Sequence, residues 1–362
     1  MGKKTKIIRY IILCSMIIIG IVGFILFSNV FSKKKNIYIM TWTGALDSIL
    51  IEKFEKKYNA KVHVKFYSSN EELISKLSIY NKNIDIIFPS DYIVNDLFKK
   101  KLIKPIQIKK IVHFDKLLPD LLNKVVYNKK HYGVPAGWGA FGIALNESLY
   151  KKMEPNSDIL KIFFTGKNKR ELCKIAVIND MATMTNNAYQ YYKYNFKKNK
   201  IYNKKNLFTI LHEILEEQKK NVILYTYDDY LGPIFEHNIV DMALIESGRY
   251  LKIIENLPNI NLKFIFSSYY ILKVCEYMAL AANAQNEDLC YQFINFMLEE
   301  EQILYSSKND FSFSPRKDLL YKTIPQAQEI IKNIQNNKHI ALFTDDILNK
   351  RELIALWMKL KS

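Results

Sequence analysis

The chain reads as an α/β protein of two lobes behind an N-terminal transmembrane helix, and three observations predict this. At 362 residues it exceeds what one hydrophobic core ordinarily serves. Short β-rich runs alternate with runs of helical period in two successive sets. Near the front, the 22 residues from Tyr10 to Phe31 carry no charge, and at about 1.5 Å per residue such a helix crosses a bilayer core of about 30 Å.

The apolar segment comes first. No A-x-A-like cleavage site precedes Ser32, which favours an uncleaved signal anchor over a removed leader. A lipoprotein with Cys14 as the lipidated residue is the alternative, although the preceding "IIL" lacks the small residue such processing prefers. Basic residues flank both ends, so the positive-inside rule orients the segment only weakly toward a cytoplasmic N-terminus. On either reading residues 1–36 form a basic tail and anchor, and the rest works on the extracellular face of the cell membrane.

After "KKK" the pattern becomes regular. "NIYIM" (36–40) is a strand, and Leu46, Ile49, Leu50, Phe54 and Tyr58 share one face of a helix. "KVHVKFY" (61–67) alternates, with Val62, Val64 and Phe66 on one side. Asn70 is placed to cap a helix carrying Leu73, Ile74 and Leu77. "IDIIF" (84–88) is a third strand, and a helix follows over 91–100. Strand and helix alternating three times implies a mostly parallel sheet covered on both faces. A second set holds "KIAVI" (174–178), helices near 182–195 and 206–219, "NVILY" (221–225), "DMALI" (241–245) and "KFIF" (263–266). A long strand is expected over 271–282, with helices near 286–306, 325–335 and 345–361. Between the sets, "YGVPAGWGAFGIALN" (132–146) holds four glycines among apolar residues and reads either as a bulged strand or as a hinge.

The net charge of +17 raises the question of nucleic acid. Seven of those charges belong to residues 1–36, and the rest are lysines scattered through a chain rich in Asn and Ile, without an arginine stripe or an RNA-binding aromatic signature. No nucleic-acid partner is expected. The four cysteines, Cys14, Cys173, Cys275 and Cys290, contain no CxxC pair and suggest neither a zinc site nor a disulfide framework. Nor do the six histidines form HExxH, and GxSxG and GxxxxGK[ST] are absent. The acid pairs in "YDDY" (227–230) and "TDD" (344–346) leave a membrane-anchored glycosyltransferase-type enzyme as a minor alternative, but adjacent aspartates diverge on any regular element and usually cap or solvate a turn. No catalytic residue, cofactor or metal is expected.

Ligands of open α/β sheets bind beyond the carboxyl ends of the strands. Here the loops at those ends read "TWTG" (41–44) and "PSDY" (89–92), offering Trp42 and Tyr92 as stacking or cation-π surfaces. Ser90 is equally placed to cap the next helix or to touch a ligand. The runs "IYIMTWTGALDSILIEKFEKKYNAKVHVKFYSSNEELISKL", "DIIFPSDYIVNDLFKKKLIKPI" and "YGVPAGWGAFGIALN" resemble the spermidine/putrescine-binding proteins of ABC importers. "IAVINDMATM", "EYMALAANAQNEDLCYQFINFMLEEE" and "FSFSP" resemble them more loosely.

The resemblance implies a periplasmic-binding-protein-like clamshell. One lobe combines 37–140 with 274–319, and the other combines 141–273 with 320–362. It further implies a monomer that captures a polyamine and delivers it to permease subunits and, through them, an ATPase. The implied ligand-binding residues are Trp42, Thr43, Ser90, Tyr92, Asp180 and Glu276. Gly44, Ala45, Thr183, Leu244, Val274 and Phe343 depart from the family pattern and take away two tryptophan faces, leaving another organic cation or metabolite as the alternative ligand. Tyr227, Asp228, Glu246, Tyr269 and Tyr270 lie near those positions as candidate replacements.

Overall fold

Ile37, Ile39 and Met40 are fully buried, which places strand β1 (Lys35–Trp42) at the centre of a parallel trio. The computed structural model describes residues 15–18, 34–43, 45–80, 84–154, 157–168, 171–197, 206–337, 339–343 and 347–362. The expected membrane span therefore lies outside the described residues except for Ser15–Ile18, which are helical. Among the described residues no helix is long and apolar enough to cross a membrane.

β2 (Ala60–Tyr67) runs parallel to β1 in an unbroken register from Lys35 opposite Ala60 to Trp42 opposite Tyr67. β3 (Ile86–Ile87), fully buried, flanks β1 on its other side. β4 (Ile103–Lys104) follows, and β5 (Val126–Tyr127) and β6 (Lys130–His131) form a small hairpin. β7 (Val134–Asn146) is the longest strand described. A second hairpin, β8 (Lys167–Asn168) and β9 (Glu171–Leu172), precedes the second set: β10 (Ile175–Ile178), β11 (Val222–Thr226), β12 (Met242–Glu246) and β13 (Leu262–Ile265). β14 (Ile271–Ala281) and β15 (Ile340–Leu342) complete the strands.

The main sheet runs β11-β10-β12-β7-β14-β3-β1-β2, with β13, β15 and β4 attached beside β7 and β14. Its two parallel groups, β10 to β12 and β1 to β3, meet through the antiparallel pair β7 and β14. β7 pairs with β12 and β13 toward its C-terminal end and with β14 toward its start, while β14 goes on to pair with β3 and β4. Two long strands thus run from one half of the molecule into the other, the arrangement of a two-lobe binding protein.

The glycine-rich run is this strand β7, and its partner shows an irregularity in register between Glu276 and Tyr277. Glycine is required where neighbours crowd it: a Cβ on Gly142 would sit 2.5 Å from the Phe264 ring. Helices cover both faces. In Ser48–Tyr58, Asp47 caps the first turn by accepting from the Ile49 N–H at 2.7 Å, and Phe54 meets Phe293 edge-on at 5.0 Å.

Four local expectations are corrected. Ile49 and Phe66 are exposed, and β2 buries Tyr67 on the opposite side, because the Tyr67 hydroxyl donates to the Phe88 carbonyl beneath β3. The helix Asn70–Tyr80 is capped by Ser69, whose hydroxyl accepts from the Glu72 N–H at 3.1 Å, and Asn70 turns its buried amide elsewhere. Residues 286–306 form not one helix but two, Glu287–Met297 and Glu300–Asn309, broken where Glu299 adopts an extended conformation and opens the second. Ser90 stands at the N-cap of Asp91–Lys99 but makes no side-chain capping bond.

Candidate functional site

The site lies where the strand ends of both halves meet the crossing pair. β1 ends at Trp42, and the loop after β3 leads through Ser90 into the helix Asp91–Lys99, whose first turn carries Tyr92. Ser90 forms an isolated antiparallel bridge to Glu276 in the middle of β14, which brings the third-strand loop of one half against the crossing strand. Tyr67 ties these residues together. Its ring lies 4.6 Å from that of Trp42, and burial, with Glu276 and Tyr92 beside it, holds its hydroxyl firmly protonated.

Tyr92 is half-buried rather than held out to solvent. It stacks on Phe343 with ring centroids 5.1 Å apart, and its hydroxyl accepts from the Asn70 amide. Phe343 also approaches Phe141, and its carbonyl accepts from Lys124. One end of the cleft is therefore filled with aromatic rings. Asn70 is 1% exposed, and its Oδ1 has no hydrogen-bond partner among the described residues. The indole N–H of Trp42 is likewise buried without an acceptor among them. Two polar atoms on one wall thus keep unused hydrogen-bonding capacity, which a native interior rarely tolerates.

The other end is charged. Glu246 closes β12, and its carboxylate folds back over β7, so that a Cβ on Gly139 would fall 2.1 Å from its Oε1. Glu276 pairs with Gly137 on the far side of the same strand. Burial, and then the Glu246 charge, push the Glu276 carboxyl up to about 7, while burial raises Glu246 itself. Asp310 is raised to about 6 by burial and by Asp47. The Arg249 cation opposes these shifts at Glu246, Glu276 and Asp310, and it pairs with Asp229 at 3.1 Å. Arg249 also lines a cavity of about 490 Å³, together with Thr43 of one half and Asp229 and Lys252 of the other. A larger cavity of about 630 Å³ near Asn146 and Asn261 shares no residue with this cluster.

Of the six residues expected from sequence, Trp42, Ser90, Tyr92 and Glu276 gather round Tyr67, and Thr43 stands exposed at the cavity. Asp180 lies just past the carboxyl end of β10, where its carboxylate accepts from the Thr183 N–H at 2.6 Å and opens the helix Met181–Lys197. Tyr67, Arg249 and Asp310 were not singled out from sequence, and Asn70 reads there only as a helix cap. Their chemistry depends on partners distant in the chain, and only Glu246, four residues before the "SGRY" helix turn ends, stood among the candidate replacements.

Buried acids beside a glycine-lined strand, with aromatic rings nearby, suit a small cationic solute, because a desolvated ammonium needs carboxylate partners. No group of three or more metal-ligating side chains comes together among the described residues.

Comparison with known proteins agrees with the architecture. The family described as bacterial extracellular solute-binding protein matches residues 50–340. The spermidine/putrescine-binding periplasmic protein of Salmonella typhimurium is 25% identical over 274 residues, 75% of this chain and 74% of that protein. Among solved structures, the spermidine/putrescine ABC transporter substrate-binding protein of Streptococcus pneumoniae superposes with a TM-score of 0.73 at 20% identity, covering 91% of this chain and 99% of the other. The Tp0655 lipoprotein of Treponema pallidum gives 0.72 at 21% identity, covering 90% and 99%. The chain belongs to the bacterial extracellular solute-binding proteins, a family of non-catalytic, extracytoplasmic receptors with a two-lobe α/β fold.

Proposed function

We propose that this protein is the membrane-tethered receptor of an ABC importer, capturing putrescine or spermidine between its lobes and handing it to the permease. The tether is the apolar segment Tyr10–Phe31, and the lobes divide as 37–140 with 274–319 and 141–273 with 320–362. The observation that carries the ligand class is the local charge. In a chain of net charge +17, the charged end of the cleft holds Asp229, Glu246, Glu276 and Asp310 against Arg249 and Lys252. That local excess of acid is what a dication needs against the long-range repulsion of a basic protein. Trp42 and Tyr67 add ring faces beside Glu276, and Tyr92 adds one toward the aromatic end, and the relatives named for spermidine and putrescine share the chain's architecture.

Arg249 favours a second reading, in which the solute also carries a carboxylate for that guanidinium. Thermal-shift measurements separate the two. On the first reading putrescine and spermidine raise the melting temperature and 4-aminobutyrate does not, since only a ligand that binds the native state stabilises it. A shift with 4-aminobutyrate alone overturns the polyamine assignment.

A further inference from the structure

Three adjacent strands set up an arrangement that the sequence alone does not display. β12, β7 and β14 lie side by side, and on β7 the residues facing the cleft between the two acids are glycines. Gly137 is directly opposite Glu276, and Gly139 directly opposite Val274. Residues paired across an antiparallel ladder point to the same face, and residues two apart share it. Gly137, Gly139, Val274 and Glu276 therefore all face one way. The Glu246 carboxylate lies on this same face, over Gly139, in the space a side chain there would fill. Ser312 covers Gly137 with its hydroxyl in the same manner, 2.0 Å from where a Cβ would stand. Two carboxylates thus share one face of the glycine-lined strand, with Ser312 beside them, one from a lobe strand and one from a crossing strand.

We propose that Glu246 and Glu276 act together as a paired-carboxylate seat for one primary ammonium of the bound solute, making Glu246 a specificity-determining residue. The assignment rests on the polyamine reading above and names the subsite within it. An ammonium placed between the acids meets two carboxylate acceptors.

The pair also links binding to protons. Around Glu276 stand Glu246, Asp310, Arg249 and the Tyr67 hydroxyl; around Glu246 stand Glu276, Arg249 and the Gly248 N–H; Asp47 and Lys252 reach the pair only through Asp310. Like charges on one dry floor keep a proton on the pair near neutrality. An ammonium replaces that proton, so binding releases it and tightens as pH rises through about 7.

Calorimetric titration of putrescine into the full-length chain in a non-ionic detergent, in phosphate and in Tris, reads both affinity and proton count. The wild type is expected to bind about tenfold more tightly at pH 8 than at pH 6. It should release close to one proton per putrescine at pH 6 and few at pH 8. Glu246→Gln should bind about 10- to 100-fold more weakly at pH 8 and lose most of the pH dependence. Gly139→Ala keeps every charge but occupies the place of the Glu246 carboxylate, and it should weaken binding to a similar degree. Wild-type affinity and proton release in both variants overturn this inference and leave the polyamine reading standing. Absence of binding by the wild type at every pH overturns both.

Discussion

Glu276 sits where most of the site's forces meet. Its backbone bridges Ser90, its side chain faces Gly137, and burial with Glu246 nearby lifts its carboxyl to about 7. A carboxyl raised in the folded state binds its proton more tightly there than in the unfolded chain, where it titrates at about 4.5. Its contribution to stability is therefore fully present below the unfolded value and is lost as pH rises toward about 7. Urea unfolding of the ligand-free protein should show stability declining over this window. Glu276→Gln should match the wild type near pH 5 and exceed it at pH 8; equal stabilities at both pH values contradict the buried, acid-coupled position. Tyr67 teaches a different lesson at this scale. Strict alternation along β2 assigns it to the side opposite Val62 and Phe66, yet Phe66 is exposed and Tyr67 is 1% exposed. A single hydroxyl donated to the Phe88 carbonyl, from a residue 21 positions away, decides the outcome. Periodicity cannot register such a bond.

Elements in this protein end by recognisable chemistry, and their ends test the account independently of the ligand. The helix Ile159–Thr165 begins at Asp158, whose carboxylate accepts from the Leu160 N–H at 3.0 Å, and stops at Gly166 with φ of 66°. The Gly166 N–H closes the last turn on the Ile162 carbonyl at 2.7 Å, and a Cβ at Gly166 would stand 2.1 Å from the Asn221 side chain. Left-handed backbone and a close neighbour both require glycine there. Gly166→Ala is expected to cost about 1–2 kcal/mol in urea unfolding, with polyamine affinity of the folded fraction unchanged. A loss below a few tenths contradicts the cap. Strands were legible where apolar residues cluster, as in "KIAVI" and "DMALI", because parallel strands buried on both faces need no alternation. The helix boundary at Glu299 and the cap at Ser69 were not legible. Each depends on a local backbone choice that several neighbouring residues can make equally well.

For the whole molecule, the decisive feature is that β7 and β14 pass through both halves and carry the candidate site between them. The family resemblance pointed to Trp42, Thr43, Ser90, Tyr92, Asp180 and Glu276, and the fold gathers Trp42, Ser90, Tyr92 and Glu276 round Tyr67, with Thr43 at a neighbouring cavity and Asp180 capping the helix after β10. The replacements for the altered positions could not be chosen from sequence, because Glu246 gains its meaning only from a glycine on the neighbouring strand. Phe343 and Val274 tell the same story at the other end, where an apolar stack of Tyr92 on Phe343 shortens the polar part of the cleft. A slot shortened in this way favours a compact diamine, so putrescine should bind at least as tightly as spermidine. The measurement that bears most directly on the account is calorimetric titration of the full-length chain with these two amines. Saturable binding of one putrescine per chain, with spermidine no tighter, is the predicted result. No heat with either amine at millimolar concentration would contradict it.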